Sequence, residues 1–170
     1  VDKYDSVLLP QVGIKDIAEE DKTHREKIAR KQVQEWMDAK IYPLTSEGKK
    51  KKLLEIGGGR GYLQKAAEEA GWETLGLEIS PYGIKAALNK RLNVLPIALE
   101  DLTSYIPSRD YFSVVAMYDF IEHATDPGKI FRLLKNVTCE DTILAIRAPN
   151  TNEERGPKLH LIDHLWHFYE

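Results

Sequence analysis

The sequence has a single cysteine, Cys139, so no internal disulfide can staple the fold. With no second Cys to pair with it, that thiol reads as an apolar residue at a core edge. No apolar run approaches the ~20 residues that cross a bilayer. No signal-peptide pattern opens the chain, and a cytoplasmic location is the default expectation. The first residue is Val1 rather than Met, as in a fragment or a processed chain. An excess of charge of one sign is also lacking: the net charge is -3, which makes no strong claim on nucleic acid or an acidic membrane. The four lysines at 49–52 read as a solvated lead-in to a strand rather than a nucleic-acid patch. Internal repeats and low-complexity segments are absent. What remains is 170 residues, 42% hydrophobic and 30% charged, enough for one globular domain with a real core.

The chain is organised around Leu53-Leu54-Glu55-Ile56-Gly57-Gly58-Gly59-Arg60-Gly61-Tyr62-Leu63. An apolar strand runs into a glycine-rich turn and then a helix. Such a turn lets a ligand approach the backbone closely. The helix start offers unpaired N–H groups and the positive end of a dipole to a carboxylate or phosphate. The dinucleotide fingerprint G-x-G-x-x-G would need glycine at position 62, where Tyr62 stands. The pattern here is instead E-x-G-x-G-x-G, beginning at Glu55.

Strand and helix patterns alternate from there: strands at 52–57, 73–78, 93–98, 113–118 and 142–148, helices at 60–70, 81–92 and 126–136, and a short helical turn at 102–106. This alternation predicts a mainly parallel sheet with helices on both faces. In such sheets a ligand sits at the carboxyl ends of the strands. Glu78, closing the second strand, suits ribose hydroxyls, and Ile79 beside it an adenine face. Ahead of this domain (49–170), residues 1–48 carry an amphipathic helix at 19–40, with Ile28, Ala29, Val33, Trp36 and Met37 on one stripe and Tyr4 or His24 within reach of the ligand. Residues 1–20, broken by Pro10 and Gly13, read as irregular.

The glycine turn, together with Gly-Leu-Glu-Ile-Ser-Pro at 76–81, resembles the nucleotide-binding motifs of the class I S-adenosylmethionine-dependent methyltransferases. The stretch 111–127 (YFSVVAMYDFIEHATDP) resembles the F-D-V-V…L-E-H-x-x-D-P of the ubiquinone-biosynthesis type, with Ser113 where aspartate is usual. The Pro149-Asn150 pair is similar to that group too. The resemblance implies a Rossmann-like α/β fold, S-adenosylmethionine as cofactor and an unidentified small-molecule acceptor. It implies cofactor contacts from Glu55, Gly57, Gly58, Gly59, Gly61, Tyr62, Glu78, Ile79, Leu99 and Glu100, with Met117 and Tyr118 lining the reactive centre. Ala98 departs from the family's aspartate, leaving Glu100 or Asp101 for the adenine amine. The family sheet has seven strands and five are legible, so the strand-five edge is expected to be open, to be covered by residues 150–170, by another chain or by a missing segment.

His123 is the catalytic candidate, as a base taking a proton from the acceptor hydroxyl. A structural role for the Glu122-His123 pair stays open. So does a metal role, since Asp119, Glu122 and His123 would share one face of a helix, in a spacing that resembles the E-x-x-E-H with which the ubiquinone-type enzymes hold a divalent ion, with the shorter Asp119 in place of the first glutamate. His160, His164 and His167 read as part of a segment closing over the site rather than as a zinc site. Two rival functions remain: a non-catalytic cofactor-binding module and a nicotinamide-dependent oxidoreductase.

Overall fold

The computed structural model describes residues 14–39, 51–106 and 112–148, with side chains from residue 22 onward. Five strands, β1 (Lys52–Ile56), β2 (Glu73–Leu77), β3 (Val94–Leu95), β4 (Val114–Tyr118) and β5 (Ile143–Arg147), form one parallel sheet in the order β3-β2-β1-β4-β5. Helices α1 (Ile14–Asp38), α2 (Tyr62–Glu69), α3 (Pro81–Asn89) and α4 (Pro127–Leu134) complete the layers. The chain moves outward from β1 to β3, then returns across β1 to β4. The strand order therefore reverses between β1 and β4, and the crevice at their carboxyl ends is the expected ligand position.

The period of two in each strand sorts the core into two layers. Leu54, Ile56, Leu75, Leu77, Val115 and Met117 pack with Leu99, Leu102, Phe112 and the α4-side residues Ile130, Leu134 and Val137. On the other face Leu53, Val114 and Ala116 meet Leu63, Ala66 and Ala67 of α2 and Ala29, Val33 and Trp36 of α1. Each fully buried Leu or Val contributes roughly 1.5–3 kcal/mol of transfer free energy. The N-terminal helix is thus a layer of the same core as the glycine turn.

Several boundaries differ from expectation. Helix α1 starts at Ile14, not near residue 19, because the breakers Pro10 and Gly13 both lie ahead of it and none follows before Asp38. Its buried stripe is Ala29, Val33 and Trp36; Ile28 is 38% exposed and falls outside it. Strand β3 is two residues long rather than six, since Pro96 has no N–H to give to a ladder. The short helical turn lies at Leu99–Ser104, a 3₁₀ segment that buries Leu99 and Leu102 three residues apart.

Caps fix the helices beside the crevice. Ser80 precedes Pro81 at the start of α3 and accepts the Gly83 N–H at 3.4 Å. Asp126 accepts the Lys129 N–H at 2.9 Å ahead of Pro127. Ser113 tunes strand entry, its hydroxyl accepting the Lys52 N–H at 3.3 Å. Strand β5 is hydrogen-bonded to β4, and Ile143, Leu144 and Ile146 are exposed. Residues 150–170, which carry the expected cover for that edge, lie outside the described residues. Among the described residues no helix is long and apolar enough to cross a membrane.

Candidate cofactor cleft

The glycine turn hangs from the end of β2: the Gly57 and Gly58 N–H groups both donate to the Leu77 carbonyl, at 2.9 and 3.3 Å. Two positions require glycine. At Gly61, φ is +71° and a Cβ would run into Leu92. At Gly57, φ is +69° and a Cβ would stand 2.6 Å from the Phe120 ring. Over Gly59, by contrast, a Cβ would meet nothing within 4 Å, so the turn faces open space that a ligand can fill.

Glu78 stands at the end of β2 beside that space. Its carboxylate accepts three backbone N–H groups: Gly59 at 2.6 Å, Ile79 at 2.8 Å and Ser80 at 2.7 Å. The expected ribose acceptor is therefore also a brace that ties the glycine turn to the β2–α3 connection. Gly83 makes this possible, because a Cβ there would press on Glu78 and on the Gly59 carbonyl. Ile79 is 65% exposed, an apolar side chain presented to solvent next to the carboxylate.

Beneath the turn lies Glu55, only 6% exposed. Its Oε2 accepts the Gln64 N–H from the first turn of α2 at 3.2 Å. Burial pushes this carboxyl up from its ordinary 4.5 to about 8; the Gln64 amide opposes the shift, and the nearby Glu78 charge adds to it. Gln64 is itself buried. Its amide donates to Thr74 Oγ1 at 3.1 Å and to the Asn93 carbonyl at 2.9 Å, over Gly76, where a Cβ would strike it.

The outer rim carries charge on aromatic faces. The Arg60 guanidinium lies 5.0 Å from the Tyr82 ring centre, and Lys90, whose Nζ donates to the Arg60 carbonyl at 2.8 Å, lies 4.8 Å from that of Tyr62. The Tyr62 ring packs with Lys90 and the α1–α2 layer. The Met117 side chain is fully buried in the α4-side layer. The alternation of β4 instead directs Tyr118 to the α1 side. Its ring meets Trp36 edge-on at 6.2 Å and carries the Arg147 guanidinium at 4.6 Å; burial pushes its hydroxyl up to about 12.

Past β3, Leu99 is buried and its side chain belongs to the core. The Glu100 carboxylate bonds Lys129 Nζ of α4 at 2.8 Å, which holds it below the usual carboxylate range, while Asp101 is exposed.

The proposed one-face helix at 119–123 does not form. Ile121–His123 is a single 3₁₀ turn, and Asp119 precedes it in a left-handed conformation, φ +52°. The Asp119 carboxylate is gripped by Arg147 at 3.2 and 2.7 Å, while its own N–H donates to the Arg147 carbonyl at 2.9 Å. Glu122 is 1% exposed, and its oxygens lack a hydrogen-bond partner among the described residues; Oε1 lies 3.9 Å from His123 Nε2. No group of three His, Cys, Asp or Glu side chains able to hold a metal comes together among the described residues. His24 is exposed on α1. Tyr4, His160, His164 and His167 lie outside the described residues.

Sequence reasoning missed Arg147, Gln64, Phe120 and Gly83. Gln64 had a signal: a lone amide on the apolar face of α2, opposite a glycine inside a strand. Arg147 had none, because its partner is 28 residues away.

A five-stranded parallel sheet flanked by helices, with the glycine turn after β1 at the reversal point and an acid after β2, defines a Rossmann-like α/β domain. Comparison with known proteins narrows the class. A family model described as a methyltransferase domain matches residues 25–169, and the chain belongs to that family. It is 30% identical over 86 residues to the ubiquinone biosynthesis O-methyltransferase of Leptothrix cholodnii, a match covering 46% of this chain and 36% of that protein. The chain thus spans well under half the length of this curated relative. Among solved structures it resembles a SAM-dependent methyltransferase from Archaeoglobus fulgidus, with TM-score 0.59 and 22% identity over 74% of this chain and 54% of that one. It also resembles Streptomyces venezuelae DesVI, with TM-score 0.62 and 14% identity over 86% of this chain and 61% of that one. At these identities the structural likeness concerns the fold.

Proposed function

We propose that this chain binds S-adenosylmethionine in the cleft above Gly59 and carries the cofactor-binding part of a methyltransferase acting on a small molecule. The observation that carries this reading is the strand-end carboxylate of Glu78 beside the open space over the glycine turn. When bound, the cofactor supplies a sulfonium-activated methyl group, and the protein's work is alignment and exclusion of water. Glu78 would accept the ribose hydroxyls, Ile79 would lie on the adenine, and the Leu99 N–H and Glu100 or Asp101 would flank its edge. Gly57, Gly58, Gly59 and Gly61 would pass the methionine end over Glu55. Tyr118 would close the reactive side, and His123 would take the acceptor proton. Magnesium held by Asp119, Glu122 and His123 is the disfavoured alternative, because Arg147 occupies Asp119. A cytoplasmic setting accords with this reading.

Calorimetry tests it: S-adenosylmethionine and S-adenosylhomocysteine should bind, and NAD should not bind comparably. Tighter NAD binding would replace the methyltransferase reading with an oxidoreductase one.

A further inference from the structure

We propose that Arg147 is the receptor for a carboxylate on the methyl acceptor: its guanidinium, gripped along one edge by Asp119 and seated on the Tyr118 ring, offers its outer edge to the incoming anion. The inference rests on the S-adenosylmethionine reading above and names the class of acceptor, a small molecule that bears a carboxylate besides its nucleophile.

The fold puts Arg147 where an acceptor has to lie. With the glycine turn after β1 and Glu78 after β2 given to the cofactor, the carboxyl ends of β4 and β5 are the remaining floor of the crevice. Arg147 is the last residue of β5 and stands opposite Tyr118, the last residue of β4. The β4 end also touches the glycine turn, because a Cβ on Gly57 would meet the Phe120 ring. Asp119, between Tyr118 and Phe120, holds a left-handed backbone, φ +52°. A non-glycine residue in that region costs free energy, and such residues cluster at functional sites.

The chemistry follows from counting donors. A guanidinium has more N–H groups than one carboxylate can take. Nε and Nη2 donate to Asp119 Oδ1 and Oδ2 at 3.2 and 2.7 Å. That leaves Nη1 and the second Nη2 hydrogen, side by side on the outer edge. The guanidinium makes no other hydrogen bond among the described residues, and the side chain is 42% exposed. Both Asp119 oxygens are used, so what the pair still offers is donors, which suit an anion and not a cation. The group is also fixed in place. Its face lies 4.6 Å from the Tyr118 ring centre, and its carbonyl accepts the Asp119 N–H at 2.9 Å. A ligand therefore meets a fork whose side-chain freedom is already spent. Two parallel N–H groups match the two oxygens of a carboxylate. The Asp119 charge close by selects a monoanion over a phosphate dianion, which it repels more strongly.

The test uses the whole chain saturated with S-adenosylhomocysteine, with benzoate, benzamide and phenyl phosphate as probes. Binding is followed by calorimetry and by the side-chain NMR signal of ¹⁵N-labelled Arg147. Benzoate should bind and move the Arg147 signal, and benzamide should bind at least about ten-fold more weakly, the equivalent of one charge-assisted hydrogen bond. Arg147→Lys, which keeps the charge and loses the fork, should weaken benzoate by about ten-fold and leave S-adenosylhomocysteine affinity unchanged. Equal binding of benzoate and benzamide, no benzoate binding in the millimolar range, or an unmoved Arg147 signal overturns the inference. So does undiminished benzoate affinity in Arg147→Lys. Because that variant can disturb the end of β5, the wild-type NMR shift stands as a separate measurement. Tighter binding of phenyl phosphate than of benzoate would overturn the carboxylate assignment. If S-adenosylhomocysteine itself does not bind, the cofactor reading fails and takes this inference with it; if it binds and benzoate does not, this inference fails alone.

Discussion

Glu78→Ala separates a ligand acceptor from a brace. If the carboxylate served ribose alone, the ligand-free protein would not notice its removal. In the structure the carboxylate accepts the N–H groups of Gly59, Ile79 and Ser80 at 2.6–2.8 Å. Hydrogen bonds to a charged group contribute about 1.5–3 kcal/mol each when buried. Glu78 is half-buried, and two of the three donors are its immediate neighbours, which water can serve once the side chain is gone. A loss of about 2–4 kcal/mol is therefore expected in the absence of any ligand. For a chain of this length that lowers Tm by roughly 5–15 °C. Urea denaturation of the ligand-free protein measures it, and amide hydrogen exchange localises it, with Gly59 exchanging faster. Cofactor affinity should fall at least ten-fold as well. An Ala variant as stable as wild type, with the Gly59 amide equally protected, would refute the brace and leave Glu78 a ribose acceptor at most.

Gly61→Ala should destabilise by about 2–4 kcal/mol, since the left-handed backbone and the overlap with Leu92 add together; a melting temperature within a degree of wild type would contradict this. Glu55 gives a pH dependence with a definite sign. Its folded pKa lies above its unfolded value, so the folded state holds an extra proton between pH 4.5 and about 8 and loses stability as pH rises through that window. The slope is at most about 1.4 kcal/mol per pH unit, and denaturation midpoints of Glu55→Gln should fall less steeply with pH than those of wild type. With Asp119 committed to Arg147, chelators should leave turnover unchanged; a loss that magnesium reverses would instead restore the metal reading. His123→Ala should lower turnover by about 10²–10⁴ with cofactor affinity intact if the imidazole is the base, and equal turnover would make its role structural.

The elements near the cleft were legible because each had a local cause. A buried apolar run, a glycine turn and a helix start are neighbours in sequence, and Pro81 and Pro127 mark helix starts on their own. Residue roles that depend on a strand's facing were less legible. Strand β4 is buried on both sides, so its composition does not say whether Met117 or Tyr118 turns toward α1; the register with β1 decides it. The apolar run at 93–98 predicts a longer third strand than forms, because Pro96 inside it has no N–H for the ladder. The Asp119–Arg147 grip was not legible at all, since it depends on β4 and β5 ending side by side, a fact of tertiary register. The single 3₁₀ turn at 121–123 likewise defeated a helical-face argument that required one more turn.

The amide of Gln64 lying over Gly76 imposes an order on change. A methyl group at position 76 has no room while glutamine stands at 64, whereas a shorter residue at 64 leaves Gly76 free to acquire a side chain. The path through Gly76→Ala first crosses a destabilised intermediate. The path through position 64 first gives up the bonds to Thr74 and Asn93, which tether the helix behind the glycine turn to the far side of the sheet. Neither step is neutral alone, so the two positions are expected to vary together or not at all, and a sequence bearing a larger residue at 76 should hold that helix by some other link.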